Sequence, residues 1–272
     1  MSASTTDPSA YFLFNDVSYT SKASHRAVTI SPGVVVEAVV GANVYLNALR
    51  IQLEELKFPL FTTLGQRNLS GFVGEVFSRV FCANVAGYAV NPHADGRPDI
   101  LDVSTAKAAK HFETVCFSAS TDGELAPIRS RLAPFEFGGI EVKSTIGNPV
   151  SGYKDILLRD HGVTEFHVGM PRVSYLASIT FWGHHMSCEN LLGLYYDYCE
   201  ELAGTPQIIA VMHSELDCDV DWHQVSVGKT GSKKTSNTSL SGSGIGKISG
   251  GIVTVRNHPQ YLDRLKQAGL DI

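Results

Sequence analysis

Two short segments of the sequence carry charged residues in a pattern that can act on phosphate groups. The first is the pair Pro98-Asp99, and the second is a predicted strand at residues 138–145. Residues two apart in a strand share a face, so Glu141 and Lys143 point one way while the apolar residues beside them point the other. If Asp99 lies on the neighbouring strand, two carboxylates and an ammonium group converge on one polar, solvent-reached face. That grouping suits metal-assisted hydrolysis of a phosphodiester bond.

These residues resemble the signature of the PD-(D/E)XK nuclease superfamily, and among its members the type II restriction endonucleases. Pro98-Asp99 matches the PD element, and the Glu-Val-Lys run at 141–143 matches the EXK element. A half-buried strand with alternating charged and apolar residues also produces the E-x-K spacing, so the surrounding elements matter. By the order of its predicted elements, the resemblance covers about residues 70–212.

One spacing departs from the family pattern. Forty-one residues separate Asp99 from Glu141, which is longer than the compact hairpin usual in these nucleases. An inserted strand or excursion at 104–135 would account for the length. The alternative is that a different acidic residue, Asp102 or Glu113, is the first carboxylate of the site.

The resemblance implies a role for each charged residue of the two segments. Asp99 and Glu141 would ligate Mg²⁺, or Mn²⁺ as a substitute, because hard cations prefer carboxylate oxygens and water. Lys143 would orient or help deprotonate the attacking water, and it would neutralise a phosphate oxygen.

Glu75 is a candidate for a third metal ligand. It lies on a predicted helix at 70–83, on the side opposite an apolar stripe and beside two glycines. Small residues would let this side of the helix approach the site closely, and in the resembling nucleases a glutamate from such a helix often joins the metal ligands. The alternative is a surface carboxylate paired with Arg79 at the i,i+4 spacing.

Polar and basic residues in the second half of the chain are candidates for contacts with DNA, since Arg, Lys, Asn and Gln are the usual readers of base edges. They are Asn148, Lys154, Arg159, Arg172, His184, His185, Gln224, Lys229, Lys233, Lys234, Asn237 and Arg256. The two adjacent histidines point to opposite faces of a strand end, so we do not expect them to chelate one metal together. The alternative for this pair is a set of ordinary polar residues at the end of a strand.

The spacing of residues excludes two other catalytic classes. The glycine-rich run at 242–247 lacks the first glycine of a Walker phosphate loop, and Lys247 is followed by Ile248 rather than Ser or Thr. No G-x-S-x-G motif of the nucleophilic-serine hydrolases occurs in the sequence. The Gly, Ser, Thr and Lys composition of 228–251 instead predicts a basic, mobile loop or long hairpin that becomes ordered on DNA phosphates.

The elements that must position these residues predict an α/β fold: a mixed central β-sheet flanked by helices, with a restriction-endonuclease-like core. We expect an arm or loops at 1–30 and a capped helical elaboration at about 31–60, within a single nuclease domain at 1–272. The predicted strands lie near 99–103, 111–118, 137–145, 175–182 and 207–212. The amphipathic pattern of 187–202 predicts a helix.

Composition excludes several classes of protein. The 272 residues are 43% hydrophobic and 18% charged, which is typical of a globular chain. The five cysteines are scattered, no leader sequence is apparent, and Glu37 interrupts the apolar run from Val34, so we expect a soluble, cytoplasmic protein. The net charge of −5 opposes DNA binding overall, but residues 228–272 carry five Lys and two Arg against two Asp.

The sequence therefore predicts a Mg²⁺-dependent, sequence-specific endonuclease of double-stranded DNA, of the type II restriction class. Such an enzyme commonly cuts palindromes as a homodimer, because two-fold protein symmetry then matches two-fold DNA symmetry. The alternatives are a DNA repair or recombination nuclease with little sequence preference, and a DNA-binding α/β protein without catalysis.

Overall fold

A computed structural model of the protein describes residues 4–93, 96–119, 124–132, 136–146, 181–182, 185, 187, 189–198, 202, 204–224, 226–227, 236–267 and 272. The strands in these residues are β1 (Tyr11–Leu13), β2 (Val17–Thr20), β3 (Ala27–Ile30), β4 (Tyr88–Val90), β5 (Ile100–Asp102), β6 (Phe117–Ala119), β7 (Leu125–Pro127), β8 (Gly139–Ile146), β9 (Phe181–Trp182), β10 (Asn190–Tyr198), β11 (Pro206–Glu215), β12 (Ser226–Val227), β13 (Ser236–Thr238) and β14 (Ile252–Arg256). The α-helices are α1 (Pro32–Glu55), α2 (Leu60–Thr63), α3 (Gln66–Asn84), α4 (Ala106–Lys110), α5 (Arg129–Leu132), α6 (Gly242–Gly250) and α7 (Pro259–Gln267).

Seven of the strands form one mixed sheet in the order β1-β14-β11-β10-β8-β5-β4. The pairs β4–β5 and β5–β8 are antiparallel, whereas β8 and β10 are parallel. On the other side of β10, the strands β11, β14 and β1 are each antiparallel to their neighbour. Because helices also pack on this sheet, the predicted α/β class with a mixed central sheet is confirmed.

Helices α1 and α3 cover one face of the sheet and enclose the largest hydrophobic core. The predicted helices at 31–60 and 70–83 are therefore confirmed as helices, and α1 contributes buried residues to the main core. Gly41 brings the two helices close together, since a Cβ at this position would lie 2.7 Å from Val80 Cγ1. By length and composition α1 is also apolar enough to cross a membrane, a test that the core helix of a soluble protein passes as well.

The opposite face of the sheet carries two smaller clusters with the candidate site between them. One cluster joins α6 and α7 to β10, β11 and β14 and includes Leu191. The other joins α4 and α5 to β5 and includes Leu101. Leu191 pairs with Glu141 across β10–β8, and Leu101 pairs with Gly139 across β5–β8. Since alternate residues of a strand share a face, Glu141 and Lys143 lie between the two clusters.

The helix predicted at 187–202 is wrong, because residues Asn190–Tyr198 form the strand β10. Eight of its nine residues are buried, since α1 and α3 cover one face and α6 and α7 the other. A strand that is buried on both faces shows no alternation of polar and apolar residues. The spacing of the large apolar residues in β10 therefore also fits the period of a helix, although the segment is a strand.

Two further sequence predictions are wrong in part. The strand predicted at 111–118 begins as a π-helical turn at His111–Val115, and only Phe117–Ala119 is extended. The N-terminal arm predicted at 1–30 contains three strands, one of which adds to the edge of the main sheet. The elements in both segments are short, so a periodic pattern of apolar residues is too brief to reveal them.

The loop predicted at 228–251 is wrong for residues Gly242–Gly250, which form α6. The Ser241 hydroxyl caps this helix by accepting a hydrogen bond from the Gly244 amide. The buried carboxylate of Asp221 accepts a hydrogen bond from Ser243 Oγ at 2.7 Å and a close one from Lys247 Nζ. Capping and this ion pair offset the poor helix propensity of four glycines. Lys247 is thus a structural residue rather than a mobile one.

Candidate active site

The antiparallel pairing of β5 with β8 brings Asp99 and Glu141 together. Ile100 pairs with Ile140, so Asp99, which directly precedes β5, lies opposite Glu141. Asp99 Oδ2 accepts a hydrogen bond of 2.8 Å from the Val142 amide, which fixes its carboxylate against β8. The convergence expected for the PD and EXK segments is therefore present in the structure.

Two donors share one oxygen of the Glu141 carboxylate. Lys143 Nζ lies 2.7 Å from Oε1, and His185 Nε2 lies 3.0 Å from the same atom. The side chains of Glu141 and His185 are each 3% exposed, whereas that of Lys143 is 27% exposed. The predicted solvent-reached face is thus wrong for Glu141, whose charge is buried and depends on these two partners.

Burial and neighbouring charges move the pKa values of the two carboxyls in opposite directions. Burial raises the pKa of Asp99 to about 7, and the charge of Glu141 adds to the rise, while Lys143 and the Val142 amide oppose it. Burial also acts to raise the pKa of Glu141, but the charge of Lys143 and the hydrogen bond with His185 outweigh it and lower that pKa to about 2. At neutral pH the ionised Glu141 therefore faces a carboxyl that is only partly ionised.

We predict that Asp99→Asn stabilises the metal-free protein by roughly 1–2 kcal/mol at pH 8. The pKa of Asp99 is raised on folding, so the folded state binds this proton more tightly than the unfolded state does. The wild-type protein therefore loses stability as pH rises from about 4 to about 7, where this proton is released. Asparagine has no such loss, and its side-chain oxygen still accepts from the Val142 amide. The gain should be measured by urea unfolding in EDTA at pH 4.5, 6 and 8.

The matched control is Asp16→Asn, which removes an exposed carboxylate from the segment between β1 and β2. Its stability should stay within about 0.5 kcal/mol of the wild type at every pH. An Asp99→Asn variant that gains nothing between pH 4.5 and pH 8 would contradict the crowding of negative charge at this site.

The two carboxylates fit a hard cation. Glu141 Oε2 is buried and has no hydrogen-bond partner among the described residues, although the other oxygen of this carboxylate has two. A buried unpaired oxygen beside a second carboxylate is an environment that Mg²⁺ relieves. Within the described part of the chain, no three His, Cys, Asp or Glu side chains form a complete ligand cluster. The described residues therefore offer two carboxylates to a cation and no complete set of ligands.

Glu75 lies on the exposed side of α3, and its charge contributes to the raised pKa of Asp99. Gly74 lets α3 approach β8, since a Cβ there would lie 3.1 Å from Ser144 Oγ and 3.7 Å from Val142 Cγ1. Gly74, but not Gly71, thus brings α3 close to β8, and the contact is with the face of the strand opposite Glu141. A role of Glu75 as a metal ligand stays a prediction.

Asp102 and Glu113, the alternatives for the first carboxylate, have other positions. Asp102 is buried, and its oxygens accept hydrogen bonds from Ser21 Oγ at 2.6 Å and from the amide and hydroxyl of Ser104 at 2.9 and 2.6 Å. Glu113 is exposed on the π-helical turn. Asp99, rather than either of these residues, is the acidic residue that meets Glu141.

The structure corrects two of the residues predicted to contact DNA. Arg256 is 2% exposed on β14 and its guanidinium lies 5.8 Å from the centre of the Tyr261 ring, so it is part of the interior. His185 is 3% exposed and hydrogen-bonded to Glu141, so it is buried within the site. Gln224 is exposed, and Asn237 lies in β13. The other candidates lie outside the described residues: Asn148, Lys154, Arg159, Arg172, His184, Lys229, Lys233 and Lys234.

The contact between His185 and Glu141 is the part of the site that the sequence did not indicate. The two residues are 44 positions apart, and no motif relates them. Comparisons of the chain with protein-family models, with curated proteins and with solved structures find no match.

Proposed function

We propose that the protein is a Mg²⁺-dependent endonuclease that hydrolyses phosphodiester bonds of double-stranded DNA. The observation that carries this proposal is the meeting of Asp99 and Glu141 across β5–β8, with Lys143 Nζ 2.7 Å from Glu141 Oε1. The other oxygen of Glu141 is buried and has no hydrogen-bond partner among the residues that the structure describes. Two carboxylates and a lysine in this arrangement have the charges that phosphoryl chemistry requires.

The order of elements around the site supports the same proposal. The helix α3 is followed by the antiparallel strands β4, β5 and β8, and then by β10 parallel to β8. The helix followed by three strands matches the first part of the element order on which the resemblance to the PD-(D/E)XK nucleases rests, whereas the helix predicted at 187–202 in that order is the strand β10. The long spacing between the two motif segments is taken up by α4, the π-helical turn, β6, β7 and α5, which pack as a separate small cluster beside β5.

Each residue has a distinct part in the proposed reaction. Asp99 and Glu141 would hold Mg²⁺, which when bound supplies positive charge to phosphate and leaving-group oxygens. Lys143 is partly exposed, so its ammonium can turn from Glu141 towards a phosphate oxygen or an attacking water. The Val142 amide keeps Asp99 oriented through its backbone hydrogen bond.

The experiment that tests the proposal is incubation of the pure protein with supercoiled plasmid and phage DNA in Mg²⁺. Discrete bands are expected for a type II restriction enzyme, and a smear would favour a repair or recombination nuclease. No cleavage, together with retained DNA binding, would favour a DNA-binding protein without catalysis and would overturn the proposal. Glu113→Gln is a suitable control, because it alters an exposed carboxylate away from the site and should cleave like the wild type.

Lys233 and Lys234 are predicted to contact DNA phosphates in the basic segment that precedes β13. Replacing both with alanine should weaken binding to every DNA sequence and flatten the plot of log affinity against log salt by about two units, because each phosphate contact releases counterions. Fluorescence anisotropy with labelled duplexes over a salt series measures both effects. A Lys57→Ala/Lys266→Ala variant removes the same charge from two exposed helix ends and serves as the control.

The two other outcomes for these lysines have different meanings. A loss of affinity confined to one recognition site would mean that they contact bases. An unchanged affinity and salt slope would place this segment away from the DNA.

A further inference from the structure

His185 holds Glu141 in a way that neither the motif nor the proposed chemistry requires. Both side chains are 3% exposed, and Nε2 lies 3.0 Å from Oε1. The same Oε1 accepts a hydrogen bond from Lys143 Nζ at 2.7 Å, and a carboxylate oxygen is an acceptor, so the histidine Nε2 is the donor in this contact. The contact is therefore a buried hydrogen bond with a defined donor.

Lys143 cannot orient the carboxylate alone. Its ammonium is the end of a flexible four-carbon chain, and 27% of the side chain is exposed. The imidazole of His185 is rigid, and burial fixes its position. With both donors on Oε1, the second oxygen of Glu141 is buried and has no hydrogen-bond partner in the described part of the chain, which leaves it available for a cation.

The two donors, Lys143 and His185, also respond differently to substrate binding. In the proposed function Lys143 turns to a phosphate or a water, and Glu141 then loses its nearest cation. A buried carboxylate without a donor is costly, and its rotamer is free to change. His185 keeps one hydrogen bond on Oε1 throughout.

We propose that His185 is a positioning residue, whose Nε2–H fixes the plane of the Glu141 carboxylate so that Oε2 is presented to the metal while Lys143 acts on the substrate. The inference rests on the proposed function, since it concerns the same metal site. Residues that orient metal ligands typically contribute 10- to 100-fold to metal affinity or activity.

Two variants that differ only in reach test the proposal. The amide nitrogen of Gln at position 185 can replace Nε2, whereas that of Asn replaces Nδ1 and falls short of Glu141. We expect His185→Asn to weaken Mg²⁺ binding by about 10- to 100-fold and His185→Gln to stay within about threefold of the wild type. Binding is measured by calorimetric titration of the DNA-free protein with Mg²⁺ alone, and both variants are checked by thermal melting.

If the Asn variant does not fold, His185→Ala with and without added imidazole takes its place, and imidazole should restore most of the Mg²⁺ affinity. Equal Mg²⁺ affinity in the wild type, the Asn variant and the Ala variant would overturn the role of His185 and leave the nuclease proposal intact. A wild-type protein that binds no Mg²⁺ and cleaves no DNA would overturn both.

Discussion

Lys143→Met is expected to lower the rate of DNA cleavage by about 10²- to 10³-fold, since it removes the only charge that this strand offers to a phosphate oxygen or an attacking water. Methionine keeps most of the apolar length of lysine, and the side chain is partly exposed, so no cavity forms. Melting temperature should fall, because the buried Glu141 loses its ion pair with Lys143 and keeps the hydrogen bond with His185. The measurement is single-turnover cleavage of plasmid DNA in saturating Mg²⁺.

The carboxylates need more careful variants than the lysine. Asp99→Asn should also abolish cleavage, and it should do so in a protein that is more stable than the wild type at pH 8. Glu141→Ala is a poor test, because it leaves the buried His185 without this partner and opens space in the interior. Glu141→Gln keeps the shape and an acceptor oxygen. Full cleavage by Lys143→Met would contradict the motif, and full cleavage by Asp99→Asn would contradict the choice of aspartate.

Cleavage is expected to require Mg²⁺ or Mn²⁺ and to be lost completely in EDTA, whereas a zinc-selective chelator should have little effect. The candidate ligands are carboxylate oxygens, which suit hard cations. Ca²⁺ should support DNA binding without turnover, because it binds the same oxygens with a looser geometry. Cleavage assays and gel-shift assays in each metal measure these effects.

A second measurement makes the metal prediction independent of activity. A ligand that binds the folded state alone stabilises it by about 2.7 kcal/mol at a concentration one hundred times its Kd. Mg²⁺ and Ca²⁺ should therefore raise the melting temperature of the wild type and have little effect on Asp99→Asn. Cleavage that persists in EDTA, with no metal effect on melting, would mean that the two carboxylates serve another purpose.

The sequence predicts the central part of the site because strand alternation is a local rule. Glu141 and Lys143 share a face because residues two apart in any strand do so, and Pro98-Asp99 directly precedes the neighbouring strand β5. The alternation of residues cannot predict how deeply Glu141 and Lys143 are buried in the protein. Burial of Glu141 is set by elements far along the chain, and so is the contact with His185, which lies 44 positions away.

The errors in the predicted fold arise where tertiary contacts override local preference. The strand β10 lost its alternation because it is buried on both faces. The helix α6 contains four glycines, and it forms because Ser241 caps it and Asp221 pairs with Lys247 beneath it. The helices that bury β10, and the Asp221 that pairs with Lys247, are distant in sequence from the elements they stabilise, so composition alone could not indicate them.

The outer edge of the sheet has a consequence for how the chain reaches this structure. The strand β1 pairs with β14, and Thr254 Oγ1 donates to the Phe12 carbonyl 242 positions earlier. All strands around the candidate site lie between β4 and β10, so that half can assemble from nearby segments. The pairing of β1 with β14 must instead close a very long loop, which makes this step slow. Until β1 docks, β14 has an unpaired edge, and chains caught at that stage are prone to aggregate.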